Sequence, residues 1–355
     1  MHLLPWLTAA VALAAPVARA VPLQERALPP DAPFSVPQST VQKALTCSIA
    51  KRKGGILLLV HGTGSTGAES WASGPYVLPK LGPTYDYCYI DLPQRSLVDA
   101  QISAEYVARA VKILAPQSAT GKVNIIGHSQ GGGLNPQWAI TFWPSIRSLI
   151  KNYFALAPDF RGTTQGLLLC NPLNAGLNAT CNPSVWQQTF GSKYLAAQNS
   201  PVAGSGATAL VPTTSIFTLT DEIVQPQLPR AGASSYLAGA YVHAVQDLDF
   251  CGVHAADHFS MVVDSAAFGL IKATLLNGAP LKDMSKFDKR YCFGIPDTSL
   301  DFSGVPGLLA GVVSDLVGVG TGPKSSAEPA LQPYVCSRKF ATKCGTRFKY
   351  PNPTF

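Results

Sequence analysis

The stretch Gly127-His128-Ser129-Gln130-Gly131 constrains the fold more than any other, because it follows directly on the apolar run Val123-Asn124-Ile125-Ile126. Gly-x-Ser-x-Gly is a strand-to-helix turn too sharp for side chains at its outer positions. Such a turn holds the serine in a strained backbone with Oγ above the edge of a sheet. The helix-like segment Leu134 to Trp143 follows and points free N–H groups back toward that oxygen.

The rest of the chain supplies the sheet. Gly55 to Val60 is continuously apolar, the mark of a strand buried on both faces. It ends in the Gly-rich loop His61-Gly62-Thr63-Gly64-Ser65-Thr66-Gly67. Further strands are expected at Tyr85 to Asp91, Tyr153 to Ala157, Ser215 to Leu219 and Tyr241 to Leu248. A helix capped by Ser103 and stopped by Pro116 places Glu105, Val107, Ala110, Val111 and Leu114 at helical spacing. Strands alternating with helices predict an α/β fold, a mostly parallel central sheet flanked by helices, in one domain over residues 41–355. Residues 162–183 and the tail after Phe293 read as loops, with a helix at Val305 to Val319.

The N-terminus indicates the compartment. An apolar run from Leu3 closes on Ala18-Arg19-Ala20, an A-x-A site that makes residues 1–20 a secretory signal peptide. Residues 21–40, rich in Pro and Ala, read as a propeptide or flexible arm. No later run is apolar enough to span a bilayer. The eight cysteines form an even set expected to pair outside the cell. Asn178-Ala179-Thr180 is an N-glycosylation acceptor. Loss of the signal removes Arg19 and no acid, lowering the net charge from +7 to +6. The basic residues are scattered, without aromatic interleaving, so a nucleic-acid partner is not expected. Only 13% of residues are charged against 46% hydrophobic, which calls for a large core or an apolar surface meant for contact.

A serine alcohol needs an adjacent base, itself oriented by a carboxylate. Five histidines lie beyond the signal. His61 and His128 flank the serine turn, and His243 sits inside a strand. In chains built on this elbow the base comes last, after a carboxylate at the end of an intervening strand. That leaves His258 or His254 as base and Asp221 as acid, with Asp247, Asp249 and Asp257 competing. The His254/His258 pair lacks a neighbouring glutamate and a third ligand, so no metal is expected. Acyl transfer also needs donors for the developing oxyanion. The Gln130 N–H is one, and Thr63, with its N–H and hydroxyl, is the second. The same Gly-rich loop has no lysine and no Walker spacing, so it is not a phosphate cradle.

These residues resemble the fungal lipase B family of the α/β-hydrolase superfamily. The matching stretches include Val60-His61-Gly62-Thr63-Gly64, Ser129-Gln130-Gly131-Gly132, Phe142-Trp143-Pro144-Ser145-Ile146-Arg147-Ser148, Ala157-Pro158-Asp159, Pro183-Ser184-Val185-Trp186-Gln187-Gln188-Thr189 and Thr220-Asp221-Glu222-Ile223-Val224-Gln225-Pro226-Gln227. They run in order from about residue 40 to the end. The resemblance implies Ser129 as nucleophile, Asp221 as acid, His258 rather than His254 as base, and Thr63 and Gln130 as oxyanion donors. It places Asp159 and Gln188 on the acyl side of the pocket and Ile223 and Val224 in its apolar wall. It implies bridges Cys47–Cys88 and Cys251–Cys292. Ala327 stands where the family has a cysteine, so Cys344 is left to pair with Cys336. Cys170–Cys181 then clips the lid-like loop, which implies weak interfacial activation.

Three departures stand out. His128 replaces the family's tryptophan in the alcohol-side pocket, which should loosen selectivity. An additional glycine in Gly131-Gly132-Gly133 should leave the turn less constrained. Pro136 should kink or delay the helix. The expectation is a secreted, monomeric serine lipase acting on triacylglycerols and other apolar esters without a cofactor. A pathway-specific esterase or acyltransferase is the alternative, and an inactive binding protein a third reading.

Overall fold

The computed structural model describes residues 28–77, 81, 84–166, 180–296 and 318–346. The apolar runs form one seven-stranded sheet: β1 (Leu45–Ser48), β2 (Ile56–Val60), β3 (Asp86–Ile90), β4 (Val123–His128), β5 (Ile150–Leu156), β6 (Thr213–Phe217) and β7 (Tyr241–Ala244). The strand order is β1-β3-β2-β4-β5-β6-β7. Strand β1 is antiparallel to β3, and the remaining pairs are parallel.

Both faces are buried, and the alternation of side chains shows it. Ile56, Leu58, Val60, Ile125 and Tyr153 pack into one core with the helices Ala100–Leu114 and Leu134–Phe142. Leu57, Leu59, Ile126, Phe154 and Leu156 pack into the other with helix Ser265–Asn277. This two-sided burial explains why the central strands read as unbroken apolar runs rather than alternating ones.

Several boundaries differ from expectation. The helix expected from Ser103 begins at Ala100, because the Asp99 carboxylate accepts from the Gln101 N–H and so caps it earlier. The last strand stops at Ala244 rather than Leu248. There Asp247 folds the chain back, its carboxylate accepting from the Ala244 N–H at 2.9 Å. The described part of the 21–40 segment is docked, not loose. Buried Glu105 accepts from the N–H groups of Ser35 and Val36 and from the Ser35 hydroxyl, each at 2.6 Å. Asp31 binds Lys112 and Ser145, and Val36 and Val41 are fully buried.

Disulfides Cys47–Cys88, Cys251–Cys292 and Cys336–Cys344 are formed. The first joins residues facing each other across β1 and β3. Cys181 is disulfide-bonded as well. Residues 1–20, Cys170, Asn178, most of the lid-like loop and most of the helix expected at 305–319 lie outside the described residues. Among the described residues no helix is long and apolar enough to cross a membrane, and no His, Cys, Asp or Glu cluster could hold a metal ion.

Candidate active site

Strand β4 delivers Ser129 into a left-handed conformation, φ 56°, at the start of a single 3₁₀ turn, Ser129–Gly131. A non-glycine residue held there carries local strain, which the surrounding packing must hold in place. Close packing also explains the flanking glycines. A Cβ on Gly127 would lie 1.8 Å from the Gly131 carbonyl oxygen, and one on Gly133 would lie 2.2 Å from Asp159 Oδ1. The additional glycine therefore does not slacken the turn: it lets the helix start seat against Asp159, whose Oδ1 accepts from the Leu134 N–H at 3.1 Å. The α-helix proper begins at Leu134, so Pro136 delays it without kinking it. Pro136 lies in the first turn, where an N–H has no intrahelical acceptor to lose.

Three distant side chains converge above this turn. His258 Nε2 lies 3.0 Å from Ser129 Oγ, and His258 Nδ1 lies 2.9 Å from Asp221 Oδ2. Asp221 is fixed in turn, because its Oδ1 accepts from the N–H groups of Ile223 at 2.9 Å and Val224 at 2.6 Å. With Nδ1–H donated to the carboxylate, Nε2 keeps its lone pair toward the serine hydroxyl. Burial disfavours the charged ring, but the charge and hydrogen bond of Asp221, aided by Glu222 and Asp159, outweigh it and hold the His258 pKa above 6.5. Glu222 also accepts from the His258 N–H at 3.0 Å. That contact was missed from sequence: Glu222 adjoins Asp221, but nothing local shows that it reaches a loop 36 residues on.

The rival residues lie elsewhere. His254 Nε2 is 2.6 Å from Asp264 Oδ2 and its Nδ1 3.1 Å from the Cys292 carbonyl, so both nitrogens face acceptors. The Asp264 bond raises its pKa. Asp247 pairs with Arg230, and Asp257 caps the N–H of Ser260. His61 is sealed beside the site, donating from Nδ1 to the Gly62 carbonyl and accepting at Nε2 from the Leu92 N–H. Burial lowers its pKa to about 4, so it stays neutral.

The Gly-rich loop lies across the serine, where a Cβ on Gly62 would come within 2.9 Å of Ser129 Cβ. Thr63 Oγ1 is 2.7 Å from Gln130 Oε1 and 2.9 Å from Gln188 Oε1. The backbone N–H groups of Thr63 and Gln130 have no acceptor among the described residues. The loop is braced from outside. The Gly64 N–H donates to the Arg95 carbonyl, the Arg95 guanidinium binds the Gly64 carbonyl and Glu69, and Glu69 closes a capping box with Thr66. Sequence reasoning missed Arg95, which lies in a left-handed run with Gln94 and Ser96.

Asp159 is fully buried, its Oδ2 has no hydrogen-bond partner among the described residues, and burial lifts its pKa to about 7. Gln188 is buried on the helix Pro183–Gln188. Val224 is buried and Ile223 partly exposed. His128 is buried beside His258. Its ring packs 4.8 Å from that of His258, with Nε2 2.8 Å from the His258 carbonyl oxygen.

No family model matches the chain. The lipase B of Pseudozyma antarctica is 35% identical over 346 residues, covering 94% of this chain and 95% of that protein. The crystal structure of Aspergillus fumigatus lipase B superposes with a TM-score of 0.74 at 29% identity, covering 90% of this chain and 77% of the other. A sheet of this order, a serine held in the sharp turn after β4 and similarity to two lipases over 94% and 90% of this chain lead to one assignment: the chain belongs to the lipase B family of α/β-hydrolases, a family of lipase and esterase hydrolases.

Proposed function

We propose that the protein is a secreted lipase that cleaves triacylglycerols and other apolar carboxylic esters through an acyl-enzyme on Ser129. The observation that carries this reading is the unbroken chain of hydrogen bonds Ser129–His258–Asp221. His258 takes the Ser129 proton as Oγ attacks the ester carbonyl, then passes it to the leaving alcohol. The Thr63 and Gln130 N–H groups stabilise the oxyanion, each donor of this kind being worth about 3 kcal/mol of barrier. Water repeats the sequence and releases the acid, so no cofactor enters. Asp159 and Gln188 line the acyl side, and Ile223 with Val224 supplies apolar wall.

Three formed disulfides fit an oxidising compartment, and with the N-terminal signal they support secretion. Residues 31–36 are held on Glu105 and Lys112, which supports placing any propeptide cleavage upstream of Asp31. The test is labelling by a fluorophosphonate, with hydrolysis of p-nitrophenyl esters from acetate to palmitate beside emulsified triolein. Labelling and turnover should both vanish in Ser129→Ala. A wild-type enzyme that neither labels nor turns over would refute the reading.

A further inference from the structure

The residue before the nucleophile does more than fill space. A carbonyl oxygen only accepts, so the 2.8 Å contact between His128 Nε2 and the His258 carbonyl fixes the proton of His128 on Nε2. Its other nitrogen, Nδ1, must then present a lone pair. Nδ1 meets no donor among the described residues, and it is absent from the buried polar atoms that are sealed without a partner. The residue is only 7% exposed, so this lone pair is largely screened from bulk water. Burial, reinforced by the neighbouring His258, lowers the ring's pKa to about 3, and it stays neutral at any pH where the enzyme works.

Position says what the lone pair meets. A Cβ on Gly62 would be 2.9 Å from Ser129 Cβ and 3.5 Å from His128 Nδ1, so the nucleophile and the acceptor lie side by side against the same glycine. The His128 ring is 4.8 Å from that of His258, the group that protonates the departing alcohol. Gln188, by contrast, contacts Thr63 and Gln130, on the oxyanion side. His128 therefore sits toward the leaving group.

We propose that His128 Nδ1 accepts a hydrogen bond from a hydroxyl on the alcohol portion of the ester, so the site favours esters of polyhydric alcohols that keep a free hydroxyl near the scissile bond, partial glycerides among them. The proposal rests on the serine-hydrolase reading above and names the alcohol that reading leaves open. A buried acceptor left unpaired by a plain alkyl ester discriminates against it, and one neutral hydrogen bond corresponds to about three- to tenfold in kcat/KM.

The experiment compares 2-hydroxyethyl butanoate with its near-isostere propyl butanoate, each rate divided by that for alkaline hydrolysis. Wild type, His128→Phe and His128→Asn are measured. The wild-type enzyme should favour the hydroxyethyl ester by about three- to tenfold. His128→Phe should erase that preference, and His128→Asn, whose Oδ1 falls near the place of Nδ1, should keep it. Parity of the two esters with wild type overturns the proposal even if the phenylalanine variant does not fold. So does an equal loss on both esters in His128→Phe, which would mean that the ring only orients His258 or a hydrolytic water. Absence of any ester turnover or fluorophosphonate labelling would instead remove the serine-hydrolase reading itself.

Discussion

Asp159 carries a charge that the fold resists. It is fully buried, with one oxygen bound to the Leu134 N–H and the other without a partner among the described residues. Burial lifts its pKa from 3.8 to about 7, against the pull of the Leu134 bond. An acid with a higher pKa folded than unfolded holds its proton more tightly in the folded chain. Stability is then greatest below pH about 4 and falls as pH climbs toward 7. A gap of about three pH units at about 1.4 kcal/mol each amounts to about 4 kcal/mol, a large share of a typical domain's stability. Asp159→Asn keeps the shape and an oxygen for the Leu134 N–H but never ionises. Urea unfolding with disulfides intact, at pH 4 and pH 8, should show wild type losing about 4 kcal/mol more than the variant between the two. Parallel behaviour, within about 1 kcal/mol, would refute burial as the cause of the raised pKa.

Three other outcomes are expected. Asp221→Asn should lower kcat about 10³- to 10⁴-fold; because Asp221 is what keeps the His258 pKa above 6.5, the acidic limb of the kcat/KM profile should also move to lower pH. His254 has a folded pKa raised by Asp264, so its contribution to stability is full below 6.5 and disappears as pH rises through the folded value. The Tm difference between wild type and His254→Gln should accordingly shrink between pH 6 and pH 9, and a constant difference would show that the pair does not titrate. On the chain-entropy account, removing Cys47–Cys88, with its separation of 41, should cost about 4 kcal/mol. Removing Cys336–Cys344, with a separation of 8, should cost about 2.5 kcal/mol, and denaturant midpoints of the paired Cys→Ser variants should fall in that order.

The strands around β2 and β4, the serine turn and the helix behind it were legible because each is encoded locally, by apolar runs, glycine spacing and the wish of helix N–H groups for a partner. Element ends were legible only roughly, since a cap such as Asp99 or a turn residue such as Asp247 wins by a hydrogen bond that several neighbouring polar residues could equally have made. The convergence of the site is another matter. Spacing alone left His254 and His258 open as bases, and only tertiary structure places one against Ser129, 129 residues away, and the other against Asp264. The same holds for Glu222 on the His258 N–H, for Arg95 behind the Gly-rich loop and for His128 on the His258 carbonyl. These contacts join segments far apart in the chain, and no local preference distinguishes a side chain that meets such a partner from one that meets water. Local residue patterns alone dictate the scaffold and the sharp turn that holds Ser129. Packing of the loops above the sheet decides which polar groups surround that serine, because desolvation there makes every unpaired donor or acceptor costly.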